Sequence, residues 1–338
     1  MILVKIEKLK DMTKNDLRII FMGTPEFAVE TLKALVESQY NVVAVVTQPD
    51  KPVGRHGSVL QPSAVKQYAL EQGLPVLQPE KMKDPAFVEQ LRSYHANLQV
   101  VVAFRMLPEI VWAMPEYGTF NVHAALLPQY RGAAPINWAV INGETQTGVT
   151  TFFLDHDIDT GRIIMRKTFD IPDDADVEYV YDGLMRLGAE ICLETLDAIV
   201  TANGHPETVS QDNCQLSIDN GSLKPAPKIF KETCETDWSK TAKQVYDFVR
   251  GLSPYPGAWT TLVAPDGKET VLKLFKTRKT GKKTDVEKGR ISIEGKSLMV
   301  AASDEWLVID ELQLAGKKRM SARDFLNGMK DMVSYHIK

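Results

Sequence analysis

Only three cysteines occur among 338 residues, Cys192, Cys214 and Cys234, and none stands in a CxxC spacing with another. That scarcity argues against a disulfide framework or a cysteine-built zinc site and fits a reducing compartment, so a cytoplasmic protein is expected. Long apolar runs are missing too, none approaching the roughly 20 residues that a membrane-spanning helix needs. The opening stretch MILVKIEKLKDMTKND mixes lysines and acids without a sustained apolar core, which argues against a secretory signal. Residues 1–16 are therefore expected to be a ragged extension, with Met12 as an alternative start. No GxGxxG spacing appears, so a nicotinamide-dinucleotide reading is weak.

What is present is 44% hydrophobic residues, enough for packed cores in two domains. Leu17 to Phe21 (LRIIF), Val42 to Thr47 (VVAVVT) and Leu98 to Phe104 (LQVVVAF) are continuous apolar runs, the pattern of strands covered on both faces. A helix from Pro25 to about Glu37 follows the Gly23-Thr24 turn, and another runs from Ser63 to Gln72. The strand–helix–strand order reads as a parallel α/β sheet. Gly148 to Leu154 and Ile163 to Phe169 add two strands, and apolar residues at helical spacing mark a helix from Val177 to Val200.

The chemistry concentrates in FNVHAALLPQYRGAAP, from Phe120 to Pro135, and LDHDIDTG, from Leu154 to Gly161. Asn121 and His123 lie two apart on a strand end and so project from one face. Asp155, Asp157 and Asp159 follow at alternate positions. A calcium loop would need glycine at its sixth position and glutamate at its twelfth, where Thr160 and Arg166 stand, so the metal reading fails and no metal is expected. An amide, an imidazole and a carboxylate remain, suited to polarising a carbonyl and moving a proton. No Ser or Cys stands beside them, so the substrate is expected to bring its own nucleophile.

These two blocks resemble those of the folate-dependent formyltransferases, and the resemblance runs from about Leu17 to near the C-terminus. It implies a Rossmann-like parallel-sheet formyltransferase domain followed by a small OB-like β-barrel. It implies a catalytic set of Asn121, His123 and Asp159, with Asn121 and His123 stabilising the oxyanion, Asp159 aiding proton transfer, and 10-formyltetrahydrofolate as the formyl donor. The donor pocket would involve Ala125, Leu126, Leu127 and Pro128, together with Arg105 and Met106. This chain has Phe104-Arg105 where the family more often has tyrosine and glycine, Ala125 where many members have serine, and Tyr130 where tryptophan is usual.

The implied domains are 17–203 for catalysis, 204–235 as a linker and 236–338 for binding RNA. Short alternating runs between Val271 and Leu312, separated by Gly, Asp and Lys turns, suggest the barrel. A helix is expected from Asp237 through Val249, and Trp238 and Trp259 are read as core anchors. From Met1 to Leu223 there are 18 Lys and Arg against 29 Asp and Glu, a net charge of −11; from Lys224 onward there are 22 against 15, a net of +7. The basic half suits a polyanion. The Pro- and Gly-rich segment carrying Lys51, Arg55 and His56 reads as an exposed loop, and tRNA-directed members have a similar loop that contacts the acceptor stem. The resemblance thus implies methionyl-initiator tRNA as acceptor, held through Lys51, Arg55, Lys276, Arg278 and Lys279, by a protein expected to be a monomer. Two alternatives stay open: formyl transfer to another amine, such as an amino-sugar nucleotide or glycinamide ribonucleotide, and an RNA-binding protein with a vestigial transferase site.

Overall fold

The computed structural model describes residues 11–53, 59–213, 222–329 and 331–338. In chain order, the first elements are β1 (Ile19–Gly23), α1 (Glu26–Glu37), β2 (Val42–Val46), β3 (Lys51–Val53), β4 (Val59–Gln61), α2 (Ala64–Glu71) and β5 (Val76–Leu77). Next come α3 (Pro85–Ser93), β6 (Leu98–Val102), α4 (Glu109–Trp112), β7 (Thr119–His123), α5 (Pro135–Ile141), β8 (Gln146–Phe153), β9 (Ile163–Asp170) and α6 (Val177–Thr201). The remainder holds α7 (Ala242–Leu252), β10 (Ala258–Val263), β11 (Glu269–Lys283), β12 (Ile291–Glu294), β13 (Ser297–Ala301), β14 (Glu305–Leu314), β15 (Met320–Ser321), α8 (Ala322–Gly328) and β16 (His336–Ile337). None of the described helices is long and apolar enough to cross a membrane.

Two compact units result, and they interleave along the chain. The first comprises Met1–Arg131, Gly148–Phe169 and Asp182–Leu223; the second comprises Gly132–Thr147, Asp170–Tyr181 and Lys224–Lys338.

The first unit is built on a sheet of order β5-β2-β1-β6-β7-β8-β9. Its first five strands run parallel, and β8 joins β7 antiparallel. Every residue of β1 and β6 is buried, as their unbroken apolar runs require of a sheet covered on both faces. Phe21, Phe120 and Phe152 are among the largest fully buried side chains, each contributing roughly 1.5–3 kcal/mol. The chain leaves β1 to one side for β2 and crosses to the other side for β6. The carboxyl ends of β1 and β6, Gly23 and Val102, thus flank a reversal in strand order, where such sheets leave a ligand crevice. A Cβ on Gly23 would lie 2.7 Å from Ala28 Cβ, so glycine lets α1 approach the sheet here. Pro25, the expected first residue of α1, is instead its N-cap, and the helix begins one position later at Glu26.

Lys51 to Gln61, expected to be loop, contains the paired strands β3 and β4, with Lys51 opposite Gln61 and Val53 opposite Val59. Residues 12–16 are tied to the body: Met12 N donates to Asn203 Oδ1 (2.9 Å), and Asp16 O accepts from Asn97 Nδ2 (2.7 Å).

The second unit is an antiparallel sheet of order β12-β13-β14-β11-β10-β16, with β15 paired to β14. It closes into a barrel where Arg290 bridges His336 and Ile337 N donates to Gly289 O at 2.9 Å. Gly289 has φ +76°, and a Cβ there would stand 2.0 Å from Ile337 O, so closure demands glycine. The helix before the barrel starts at Ala242, not Asp237. Thr241 caps it, with Thr241 Oγ1 accepting from Gln244 N and the Gln244 side chain answering in a capping box. Trp238 precedes the helix as a buried anchor, its Nε1 donating to Thr260 Oγ1 at 3.1 Å. The excursions 132–147 and 170–181 belong to this unit because α7 holds them. Asn137 Nδ2 donates to Gly251 O (2.8 Å), Arg250 Nη1 to Ala175 O (2.8 Å) and Tyr246 Oη to Asp173 O (2.9 Å).

Candidate active site

The backbone of β7 turns outward at His123, beside the carboxyl end of β6, and its alternation sends Asn121 and His123 to one face. His123 is 6% exposed. Its Nε2 donates to Tyr130 O at 3.0 Å, which fixes the ring and leaves Nδ1 to the site. Nδ1 lies 3.9 Å from Asp159 Oδ2. Phe152 meets the imidazole edge to face with centroids 6.4 Å apart. Asn121 Oδ1 is buried and has no hydrogen-bond partner among the described residues.

The turn after β7 is fastened to β8 by one hydroxyl. Thr150 Oγ1, fully buried, donates to Ala125 O (2.7 Å) and accepts from Leu127 N (3.1 Å). Leu127 packs into a small cluster with Phe152 and Ile163. Of the residues expected at the donor pocket, Ala125, Leu127 and Pro128 are buried, Leu126 is half-buried and Met106 is 73% exposed. Arg105 is turned back on the backbone, with Nη1 donating to Glu80 O at 2.8 Å and Nη2 to Pro79 O. Its Nε is buried without a partner among the described residues, and burial lowers its pKa.

The Asp loop is held from within and from both sides. Asp155 Oδ1 accepts from Thr160 Oγ1 (2.7 Å) and Asp157 N (3.3 Å), making Asp155 a turn former. Gly161 approaches β8 so closely that a Cβ would sit 1.7 Å from Phe153 O. Asp159 takes φ +57°, a left-handed conformation that costs a non-glycine residue about 1–2 kcal/mol. Gln211, which sequence reasoning missed, donates from Nε2 to both Asp159 O (2.9 Å) and Gly161 O (2.8 Å). Its Oε1 accepts from Arg131 Nε (3.0 Å) and Nη2 (2.6 Å). No periodicity or motif surrounds Gln211, so nothing in the sequence singled it out. Among the described residues no group of three or more His, Cys, Asp or Glu is arranged to hold a metal.

The residues expected to meet RNA are only partly available. Lys51 is exposed on β3, and Arg55 and His56 lie outside the described residues. The lysine-rich run Lys276 to Lys283 is the end of the long strand β11 paired with β14. Arg278 makes a forked pair with Asp310, through Nε at 2.7 Å and Nη2 at 3.0 Å, and that pair raises its pKa. Lys279 Nζ donates to Asp173 Oδ2 at 2.6 Å and lies 4.9 Å from the Tyr246 ring centre; the lysine holds the Asp173 carboxyl below its usual range. Lys276 is exposed and makes no ion pair among the described residues.

Fold and sequence agree on one class. A family model described as "Formyl transferase" matches residues 17–196, and one described as "Formyl transferase, C-terminal domain" matches residues 228–330; the chain belongs to the formyl transferase family. It is 59% identical over 327 residues, 96% of this chain and 100% of the other, to "Methionyl-tRNA formyltransferase" of Parabacteroides distasonis. To the protein of that name from Phocaeicola vulgatus it is 60% identical, covering 94% of this chain and 97% of the other. The fold matches the sugar 3N-formyl transferase WlaRD, solved with dTDP and 5-N-formyl-THF, with a TM-score of 0.59 at 16% identity, covering 89% of this chain and 99% of that one. HypX from Aquifex aeolicus, solved with tetrahydrofolic acid, gives 0.58 at 19% identity, covering 94% of this chain and 47% of that one.

Proposed function

We propose that this chain moves the formyl group of 10-formyltetrahydrofolate to the α-amine of methionyl-initiator tRNA, a step that prepares translation initiation. One observation carries the chemistry: the buried imidazole of His123 is tethered through Nε2, presents Nδ1 toward Asp159, and shares its strand face with an Asn121 whose Oδ1 has no partner among the described residues. The acceptor is proposed from the relatives, which carry that name at 59–60% identity over 94–96% of this chain.

The amine attacks the formyl carbon, whose oxygen gains negative charge. Asn121 Nδ2 donates to that oxyanion, a contribution of about 3–4 kcal/mol for one such donor, while Oδ1 accepts an N–H of the incoming amine. His123 Nδ1 takes the amine proton, and the Asp159 carboxylate pairs with the imidazolium so formed. With Nε2–H still bound to Tyr130 O, the imidazolium donates from Nδ1 to the oxyanion, so that Asn121 and His123 stabilise it together. The proton passes to folate N10 as its bond to the formyl carbon breaks, leaving tetrahydrofolate and the formylated aminoacyl-tRNA.

On this reading the donor lies beside the carboxyl ends of β6 and β7, against Ala125 to Pro128 and Arg105 and Met106. Arg105, engaged with two backbone carbonyls, serves as a wall and leaves contact with the donor to Met106. The span expected as 17–203 carries catalysis, although 132–147 and 170–181 within it belong to the second unit. The 204–235 segment is more than a linker, since 204–223 belongs to the first unit; and 236–338 binds tRNA, with Lys51, Arg55, Lys276, Arg278 and Lys279 meeting phosphates. The protein works as a cytoplasmic monomer.

The test offers one folate donor with methionyl-initiator tRNA, free methionine, an amino-sugar nucleotide and glycinamide ribonucleotide in parallel. Formylation of the charged tRNA far above the others is expected. Preference for a small amine would overturn the acceptor assignment and leave the chemistry standing; no transfer to any acceptor would sink both.

A further inference from the structure

We propose that Gln211 and Arg131 form a clamp that positions Asp159 against His123, so that the dipeptide Tyr130-Arg131 sets both members of the proton-handling pair. This rests on the roles given to His123 and Asp159 above, and it adds two positioning residues that touch no reacting atom.

The geometry is specific to an amide. Gln211 is 5% exposed, and its side chain divides its two ends between different tasks. Nε2 donates to the carbonyls of Asp159 and Gly161, which flank Thr160, and Oε1 receives the Arg131 guanidinium through Nε and Nη2. Glutamate would keep Arg131 but face two carbonyl oxygens without a donor, and an apolar side chain would satisfy neither end.

The need for a clamp comes from the backbone. Asp159 is held at φ +57°, a conformation that persists only where the surroundings over-determine it. Gly161, pressed against Phe153 O, fixes the loop on its β8 side, and Gln211 fixes it on the other. The carboxylate therefore has little freedom to swing away from His123 Nδ1. On the opposite side of the ring, Tyr130 O accepts from His123 Nε2. Tyr130 and Arg131 are adjacent, so a shift of one residue pair would change the ring and the carboxylate together. Displacements of about 1 Å in such arrangements cost on the order of 10²-fold in rate.

The decisive measurement is single-turnover formyl transfer by Gln211→Glu, alone and combined with Asp159→Asn, with KM for donor and tRNA recorded alongside. Gln211→Glu should lose about 10-fold or more in rate with both KM values within about 2-fold. Added to Asp159→Asn it should cost almost nothing further, because no carboxylate remains to be positioned. Arg131→Lys, which keeps the charge and loses the fork, should show a smaller loss with the same non-additivity, and it carries the test if Gln211→Glu does not fold. Wild-type turnover in both Gln211→Glu and Arg131→Lys would overturn the clamp. So would losses that multiply with that of Asp159→Asn, since they would mark a general structural role. Wild-type turnover in Asp159→Asn itself would instead sink the role of Asp159, and the clamp with it.

Discussion

His123 Nδ1 and Asp159 Oδ2 stand 3.9 Å apart, farther than a hydrogen bond. The imidazole is already committed at Nε2 to Tyr130 O, so only Nδ1 can exchange a proton with a reactant. At that separation the carboxylate stands where it faces an imidazolium formed on His123.

Replacing His123 or Asn121 by alanine should lower the single-turnover rate by about 10²-fold or more, because each removes a group acting on the developing charge. Asn121 Oδ1 has no partner among the described residues, so Asn121→Ala should cost little stability and leave tRNA affinity unchanged. Rapid-quench formylation beside a thermal melt checks both statements. Near-wild-type rates in either variant would remove that residue from the mechanism.

Much of this site was legible because the relevant elements are locally determined. The runs at β1, β2 and β6 are apolar without interruption, and the two-residue spacing of Asn121 and His123 needs only the strand periodicity to bring them together. What escaped depends on distant partners. Gln211 acts through Asp159, Gly161 and Arg131, none near it in sequence. Strands β3 (Lys-Pro-Val) and β4 (Val-Leu-Gln) are only three residues each, too short to show alternation. Asp237 looked like a helix cap because Asp and Ser flank Trp238, but burial of that tryptophan delays the helix to the Thr241 cap. The interleaving of the two units is set by hydrogen bonds from α7 to residues 73 to 114 positions away, which no local pattern encodes.

Gly161→Ala should damage the site from a position that carries no functional group. Its Cβ would lie 1.7 Å from Phe153 O, a backbone atom that cannot rotate aside, so either the Asp loop or the end of β8 must move. Overpacking of this kind costs about 1–3 kcal/mol. A fall in melting temperature together with a fall in the formylation rate is expected. A variant with unchanged rate would mean that the loop position does not govern Asp159.

A chain beginning at Met12 should keep its melting temperature and activity, whereas one beginning at Leu17 should lose stability. The difference lies in residues 12–16. Thr13 and Asp16 form a capping box, and the Asp16 carbonyl accepts from Asn97 Nδ2 beside the start of β6. Loss of a cap costs about 0.5–2 kcal/mol, and leaving Asn97 without its acceptor adds to that. Urea denaturation of the two truncations against the full chain measures it, and equal midpoints for all three would show that residues 12–16 contribute nothing.

The surface proposed to hold tRNA should respond unequally to neutralisation, because its cations differ in what they already bind. Lys276 is exposed and has no ion pair among the described residues, so its contact with a phosphate would displace only counterions. Lys276→Ala should weaken tRNA binding and reduce the slope of log affinity against log salt by about 0.9 if the contacted segment is duplex-like. Arg278 is different, since its fork is occupied by Asp310 and a phosphate must compete with that carboxylate. An exposed pair of this sort is worth only about 0–1 kcal/mol, so Asp310→Asn should release the guanidinium at little cost in stability and tighten tRNA binding. Arg278→Ala in the Asp310→Asn background should then undo the gain. Equilibrium binding of the same tRNA to these variants across a salt series separates the possibilities. If Lys276→Ala leaves the slope unchanged and Asp310→Asn leaves the affinity unchanged, this strand of β11 faces solvent in the complex and the RNA is held elsewhere.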